Sequence, residues 1–329
     1  MKRLIASVLS IVCVGAVSAQ NESYGGPINN PSPNVIDGVV IQQHIPTKRL
    51  IPYEFVREAD MVWSKRIWRA IDLREKINIP LYYPFDDHSE DRGWTKNATR
   101  WSLWTVFATH ILNGDLTLYR TENPNDFQQR DGDSFKYPLA PPPGKNYYTD
   151  SLFGHDLFYR LGHDGVESDV ALVNTWGEDS LDFNGNPVYP PVDKIWYNST
   201  DIVQYRLKED WFFDKERSVL DVRIMGISPV VYEKNPSGAI TGFKELFWLY
   251  FPACRFVMNN YFVYNDKNDS QWMSFDDLFW KRQFNSTIIK QSNTYDRTVE
   301  TYKMGVDALM ESNRITEEIR IIEHDVWSL

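Results

Sequence analysis

Apolar side chains in the stretch VREADMVWSKRIWRAIDLREK, residues 56–76, recur at a spacing that fits an α-helix. When each residue turns by 100°, Val56 and Ile67 fall on the same face as Trp63, which predicts that Trp63 packs in a core. Met61 and Trp68 fall near the opposite face, among polar side chains. The pattern therefore predicts a helix from about residue 52 to 76, in which Trp68 either covers a neighbouring loop or contacts a second chain.

Periodicity in the rest of the chain predicts helices and an antiparallel sheet. Helices are expected over about 97–113, ending at Gly114, and over about 306–323, with a short helix that begins at a Ser274–Asp277 capping box. Alternating apolar and polar positions predict strands. The predicted strands lie in DLTLYR, VQYRLKEDWFF, VLDVRIMGI, FKELFWLYFPACRFVMNNYFVYN (two strands) and STIIKQ, with turns at DKER and NPSG. The expected fold class is α+β: an antiparallel β-meander flanked by N-terminal and C-terminal helices, with long irregular loops.

Composition changes along the chain and suggests its division into parts. Residues 138–148, PLAPPPGKNYY, hold four prolines, and short apolar pieces broken by Gly, Asp and Asn surround them. Such a long loop region is typical of an interaction surface. INIPLYYPF, residues 77–85, is expected to be extended, because each proline restricts the residue before it. The predicted parts are a signal peptide (1–19), an extended or disordered arm (20–50), an N-terminal helical part (51–122), a proline/glycine-rich loop region (123–200) and an antiparallel sheet with C-terminal helices (201–329).

The N-terminus has the features of a secretory signal peptide. Lys2 and Arg3 precede a short apolar run, and Val17 and Ala19 occupy the small-residue positions of a cleavage site. The mature chain is therefore expected to begin at Gln20, without a lipid anchor, because no cysteine stands at the junction. Cys254 would then be the one cysteine of the mature chain, and its apolar neighbours predict a small buried side chain rather than a nucleophile.

Charge and aromatic content limit the classes of partner. The formal net charge is −10, and no basic stripe is present that would neutralise nucleic-acid phosphates. The 12 Trp, 18 Tyr and 18 Phe are large, rigid side chains that are frequent in cores, protein interfaces and sugar-binding sites. Composition alone does not choose among these three roles.

Candidate catalytic and metal-binding motifs are weak. The two GHD repeats place His155 and His163 eight residues apart, which fits no standard zinc motif and is equally well explained by turns. Residues 182–193 resemble a calcium loop, but Pro187 stands where the sharp turn needs glycine. Acidic pairs such as Asp86–Asp87 are typical of solvated surface. The sequence therefore predicts no catalytic residue, no cofactor and no metal.

Several long segments together resemble one family. VREADMVWSKRIWRAIDLREKINIPLYYP, VLDVRIMGISPVVYE, ELFWLYFPACRFVMNNYFVYN and ALMESNRITEEIRIIEHDVW are similar, in this order, to segments of the GldN/PorN family of Bacteroidetes gliding motility and type IX secretion. The resemblance implies a non-enzymatic periplasmic subunit, peripheral to the inner leaflet of the outer membrane. It implies self-association in a ring with a formylglycine-enzyme-like outer-membrane lipoprotein of the GldK/PorK type. It also implies contact with the periplasmic region of the inner-membrane motor subunit, of the GldM/PorM type.

A ring subunit needs two distinct contact surfaces, because rings close through head-to-tail contacts. On this basis Met61, Trp68, Pro141, Pro142 and Pro143 are expected at partner interfaces, and Trp63 in the core. The alternative hypothesis is a secreted carbohydrate-binding protein or glycosidase, which would also contain many aromatic and acidic side chains.

Overall fold

The computed structural model describes residues 49–327 except 87, 90–92, 95–99, 125, 127–130, 166–169, 174–178, 182–185, 236–237, 266–267, 269–270 and 272. The predicted signal peptide and almost all of the arm lie outside these residues. The described helices are α1 (Leu103–Asn113), α2 (Ser151–Leu161), α3 (Phe251–Met258), α4 (Phe275–Trp280) and α5 (Val306–Trp327). The described strands are β1 (Met61–Asp72), β2 (His88–Ser89), β3 (Gly93–Trp94), β4 (Leu118–Tyr119), β5 (Pro138–Leu139), β6 (Gly162–Asp164), β7 (Lys194–Trp196), β8 (Ile202–Asp214), β9 (Val219–Lys234), β10 (Ile240–Glu245), β11 (Trp248–Tyr250), β12 (Phe262–Val263), β13 (Met273–Ser274) and β14 (Thr287–Gln291).

An eight-stranded antiparallel sheet organises the molecule. Its strands run in the order β14-β1-β8-β9-β11-β4-β5, and β10 pairs with the far end of β9, beside β11. The expected α+β class is therefore confirmed. The long strands β8 and β9 form a hairpin through the predicted DKER turn, and β1 lies against the other edge of β8.

The predicted first helix is wrong, because its centre forms the long strand β1. Cross-strand pairing explains the difference: Trp63 faces Phe213 and Ile71 faces Tyr205 across β1 and β8, so packing overrides a helix-compatible pattern. In a strand, two side chains whose residue numbers differ by an odd number also lie on opposite faces of the sheet. Trp63 and Trp68 therefore lie on opposite faces, as expected, but on a strand.

Three further segments differ from their predicted structure. The 123–200 loop region contains α2, whose N-cap Asp150 accepts hydrogen bonds from the backbone N–H groups of Leu152 and Phe153. Residues 251–258, predicted as strand, form α3, with proline in its first turn, where no intrahelical N–H bond is lost. The segment predicted to be extended begins with a 3₁₀ helix, Lys76–Leu81.

Other predicted elements are confirmed. α5 begins where expected and buries Ile315 and Ile319, although Leu309 of the predicted stripe is exposed. The capping box of α4 is formed, since Ser274 Oγ accepts from Asp277 N and Asp277 Oδ2 accepts from Ser274 N.

The core has two parts. The larger cluster joins β1, β8 and β9 to α1, α3 and α4, with Trp104, Phe247 and Phe275 at its centre. The smaller cluster joins β1 and β14 to α5 through Ile67, Ile288 and Ile315, and Trp63 packs partly buried against it.

Candidate interaction sites

A cleft of about 840 Å³ lies between one face of the large sheet and segments of the 121–201 region. Trp68 of β1 and Arg206 of β8 contribute to its floor, while Phe243 and Lys244 of β10 line one side. Tyr159 of α2 lines it from the 121–201 region. Its volume lies in the range typical of binding sites, and its lining mixes aromatic with charged side chains.

Trp68 lies at one end of this cleft, half-buried, with several partners in its own chain. Its Nε1 donates a hydrogen bond to Asp133 Oδ2 over 3.0 Å, and the Nζ of Lys290 lies 4.6 Å from its ring centroid. The Nζ of Lys208 lies 5.8 Å from the same ring and 3.3 Å from Asp133 Oδ2. Trp68 therefore packs against the loop around Asp133, which is the first of the two alternatives that the sequence pattern left open. Contact with a partner chain stays a prediction.

A row of paired residues explains why segment 131–135 packs on the sheet here. Lys290, Trp68, Lys208 and Gly226 are direct neighbours across β14, β1, β8 and β9. The ring of Phe135 lies directly over Gly226, where an added Cβ would come within 2.7 Å of a ring atom. Glycine is therefore required at position 226. In the same row, burial lowers the pKa of the Lys208 ammonium below its ordinary value of 10.5.

Aromatic side chains line the opposite end of the cleft. Tyr232 and Phe243 stack across β9 and β10 with ring centroids 5.7 Å apart. His163 of β6 lies against Tyr197 with centroids 5.1 Å apart. Lys244 Nζ lies 5.0 Å from the exposed ring of Tyr159. Such side chains provide rigid contact area with polar ends, as interaction surfaces require.

The proline-rich loop is ordered and exposed. Pro142 O accepts a hydrogen bond from Lys145 N, and Gly144 has a φ of 76°, as a type II turn needs. Pro141 is half-buried, while Pro142 and Pro143 are exposed. The three predicted interface prolines thus lie on a surface turn that precedes α2, away from Trp68 in sequence, and their partners stay untested.

Met61 lies at the opposite end of the sheet from the β9–β10 hairpin. It is the first residue of β1, faces Asp214 on β8 and is 43 % exposed. Val62 and Val219 nearby are also exposed. The structure therefore places Met61 on a partly apolar surface near the β8–β9 turn and does not bring it together with Trp68.

The segment that precedes β1 is fixed to the body by a clamp around Arg255. The rings of Tyr53 and Trp280 stack with centroids 5.6 Å apart, and the guanidinium of Arg255 packs against both, 4.4 and 4.8 Å from their centroids. It also donates two hydrogen bonds to the buried carboxylate of Asp276 and one to the carbonyl of Ile51, which together satisfy much of its buried charge. Burial raises the pKa of the Tyr53 hydroxyl to about 12.

A second buried ionic cluster centres on Glu209. Its side chain has no solvent exposure and lies 3.1 Å from Arg69 Nε and 2.9 Å from Arg282 Nη2. Trp211 Nε1 donates a hydrogen bond to the same carboxylate over 3.0 Å. Burial lowers the pKa of the Arg69 guanidinium below its ordinary value. The carboxylate and the two guanidinium groups are paired by charge, which is the arrangement of a structural ion-pair network.

The candidate chemical groups do not converge. His155 is exposed on α2, His163 lies on β6 against an aromatic ring, and Asp156 pairs with Arg120 over 2.7 Å. Within the described part of the chain, no three His, Cys, Asp or Glu side chains are grouped as metal ligands would be. Residues 182–185 of the candidate calcium loop, including Asp182, lie outside the described residues.

Cys254 is buried in α3, as predicted, and burial raises the pKa of its thiol. The thiolate, which is the nucleophilic form, is therefore strongly disfavoured.

Sequence reasoning found Trp68 but missed the cleft and both ionic clusters. These depend on residues far apart in sequence, such as Arg69 with Glu209 and Arg282, and no local spacing reports such contacts. The alternation in VQYRLKEDWFF was a local signal for a polar face of the sheet. It places Arg206 and Lys208 on the face opposite Tyr205 and Leu207, which are buried in the core.

The fold and these surfaces define the class: an α+β protein built on a large antiparallel sheet with a cleft on one face. No described helix is long and apolar enough to cross a membrane. The family model described as "Gliding motility associated protein GldN" matches residues 56–328. This match covers most of the chain, so the chain belongs to the GldN family of gliding motility associated proteins. No curated protein matches it.

Proposed function

We propose that this chain is a non-enzymatic structural subunit of a periplasmic ring associated with the outer membrane, required for type IX secretion and gliding motility. The observation that carries the proposal is the family match over residues 56–328. The partners proposed are a GldK/PorK-type lipoprotein, the periplasmic region of a GldM/PorM-type motor subunit, and further copies of this chain. A lipidated partner of this type would hold the subunit at the membrane.

The distribution of surfaces supports this role. The molecule presents a cleft, an exposed proline turn and a partly apolar end around Met61, which lie on different parts of the chain. A subunit that contacts neighbours on two sides and a partner on a third uses several separate surfaces. The ionic clusters around Glu209 and Arg255 are built from mutually paired groups and support a structural rather than catalytic reading.

Co-purification from cell envelopes tests the proposal. An affinity-tagged chain should be recovered with an outer-membrane lipoprotein and with the motor subunit, and deletion of the gene should stop both secretion and gliding. Recovery of the chain alone, together with retention on insoluble polysaccharide, would instead favour the carbohydrate-binding alternative.

Mass spectrometry of the mature N-terminus tests the proposed location. Cleavage before Gln20 without a lipid adduct is expected. An intact Met1 or a diacylglyceryl group would contradict the proposed route to the periplasm.

A further inference from the structure

Strand β10 is an edge strand that exposes apolar side chains. It pairs with β9 along one edge, and no other described strand pairs with its second edge. Ile240 is 57 % and Phe243 is 38 % exposed. Natural proteins usually protect such edges, because the unpaired N–H and C=O groups recruit another strand. The exposed edge of β10 therefore has the character of a pairing site.

Space for an added strand is available beside β10. Phe243, Lys244 and Glu245 of this strand line the cleft, and Thr121 and Glu122, which follow β4, also line it. An extended peptide that pairs with an edge gains main-chain hydrogen bonds, and neighbouring pockets accept its alternate side chains. The cleft wall and the strand edge together fit an extended polypeptide segment.

The chain's own N-terminal residues supply a segment of this kind. Residues 35–45, VIDGVVIQQHI, contain the apolar run Val39–Ile41 and precede the first described residue, Arg49.

The point where this segment joins the body lies far from β10. Tyr53 is held beside Arg223, and Glu54 pairs with Arg217 in the β8–β9 turn. β10 pairs with residues 230–234 of β9, which are seven to eleven residues beyond Arg223, or roughly 23–36 Å along a strand. To reach β10 of the same chain, the residues between this segment and Tyr53 would have to run almost fully extended along the sheet. A neighbour placed end to end brings the segment there directly.

We infer that residues 35–45 of one copy bind along β10 of the next copy, as an added strand in the cleft. This inference rests on the proposed function, because it supplies the self-association that a ring needs. Donor and acceptor surfaces are different and lie at opposite ends of β9, so the contact is head-to-tail and is of the kind that closes into a ring.

Disulfide cross-linking in cell envelopes tests this contact in the full-length chain. In a Cys254→Ala background, Val40→Cys with Phe243→Cys should give a ladder of covalent oligomers under oxidation. The control replaces Phe243→Cys by Tyr295→Cys, in the loop between β14 and α5. Tyr295 is 78 % exposed against 38 % for Phe243, so accessibility alone would favour its cross-linking, but this pair should give nothing beyond the product of Val40→Cys alone.

The outcomes distinguish a failure of this strand-pairing inference from a failure of the proposed function. Assemblies that contain the lipoprotein but show no cross-link, or a disulfide within a single chain, would overturn the inference and leave the proposed function standing. A wild-type chain that stays monomeric in envelopes would overturn both.

Deletion of residues 35–45 provides a second test that does not depend on cysteines. It should weaken association between copies by about thirtyfold or more, as the loss of one hot-spot contact would. Thermal melting of the isolated subunit should stay unchanged, because the deleted residues precede the clamp at Ile51–Tyr53. Unchanged association in this variant would contradict the inference.

Discussion

Glu209 shows how a single charged residue connects the two parts of the core. Its carboxylate accepts hydrogen bonds from Arg282 and Trp211, and Arg69 lies within salt-bridge distance. Trp211 packs against the smaller cluster, while Arg282 lies over Phe284 of the larger one. The ionic cluster therefore lies at the junction of the two hydrophobic clusters and ties them together.

Glu209→Gln should destabilise the fold by about 3 kcal/mol, because it leaves two guanidinium groups in a buried site without a full counter-charge. Urea denaturation of the purified variant is the measurement. Glu318→Gln is the matched control, since Glu318 pairs with Arg314 on the exposed surface of α5 and should cost less than about 0.5 kcal/mol. Equal losses in the two variants would contradict a structural role for the buried cluster.

The buried carboxyl of Asp86 should make the free energy of unfolding depend on pH. Burial raises the pKa of its carboxyl above the ordinary value of 3.8, although hydrogen bonds from Ser199 and Ser102 partly oppose this. The folded state then binds a proton more readily than the unfolded state, so this group costs stability at neutral pH and less as the pH falls through the folded pKa.

Asp86→Asn should therefore be more stable than wild type at pH 7. Its amide keeps an acceptor for Ser199 N, and Ser102 accepts a hydrogen bond from the new amide instead of donating to the carboxylate. The advantage should shrink as the pH falls toward 4, when measured by urea denaturation at each pH. A constant advantage across this range would show that Asp86 titrates normally.

Trp68→Ala should destabilise the subunit by about 2 kcal/mol. This is less than the ~3–5 kcal/mol for a fully buried aromatic residue, because Trp68 is half-buried. The variant loses the hydrogen bond to Asp133 and the ring beside Lys208 and Lys290. Trp68→Phe keeps the ring and should recover most of the loss in thermal melting. If Trp68→Ala melts like wild type while assembly fails, the tryptophan acts at an interface alone.

Among the helices and strands, the sequence predicted correctly those elements whose start, end or type depends on a few neighbouring residues. The capping box of α4, the glycine after α1 and the alternation of β8 and β9 each lie within a few residues. The stretch around Trp63 was mistaken for a helix because its apolar spacing fits both periods over a short range. Pairing with β8, which begins about 130 residues later in the chain, decides the outcome.

The clamp around Arg255 predicts local protection of the segment before β1. Tyr53→Ala removes one of the two rings that hold the guanidinium, so residues 51–57 should exchange amide hydrogens about five- to thirtyfold faster. Phe55→Ala is the control in the same segment, since Phe55 is 87 % exposed. Hydrogen exchange followed by mass spectrometry measures both, and equal rates in the two variants would contradict the clamp.

At the scale of the whole molecule, the sequence identified the class of surface but not its shape. The proline turn and Trp68 were found from composition and spacing, whereas the residues that line the cleft are spread over 230 positions of the chain, from Trp68 to Thr298. Only the folded sheet brings these segments together. The subunit therefore has an ionically reinforced core, a segment held at one end of the sheet and an edge strand at the other.

Electron microscopy of the native assembly, purified from envelopes through a tag on this chain, tests whether the chain is a ring subunit. We expect closed rings in which copies of this chain repeat head-to-tail, each in contact with an outer-membrane lipoprotein. A monodisperse single copy, recovered without the lipoprotein from cells that still secrete and glide, would contradict it.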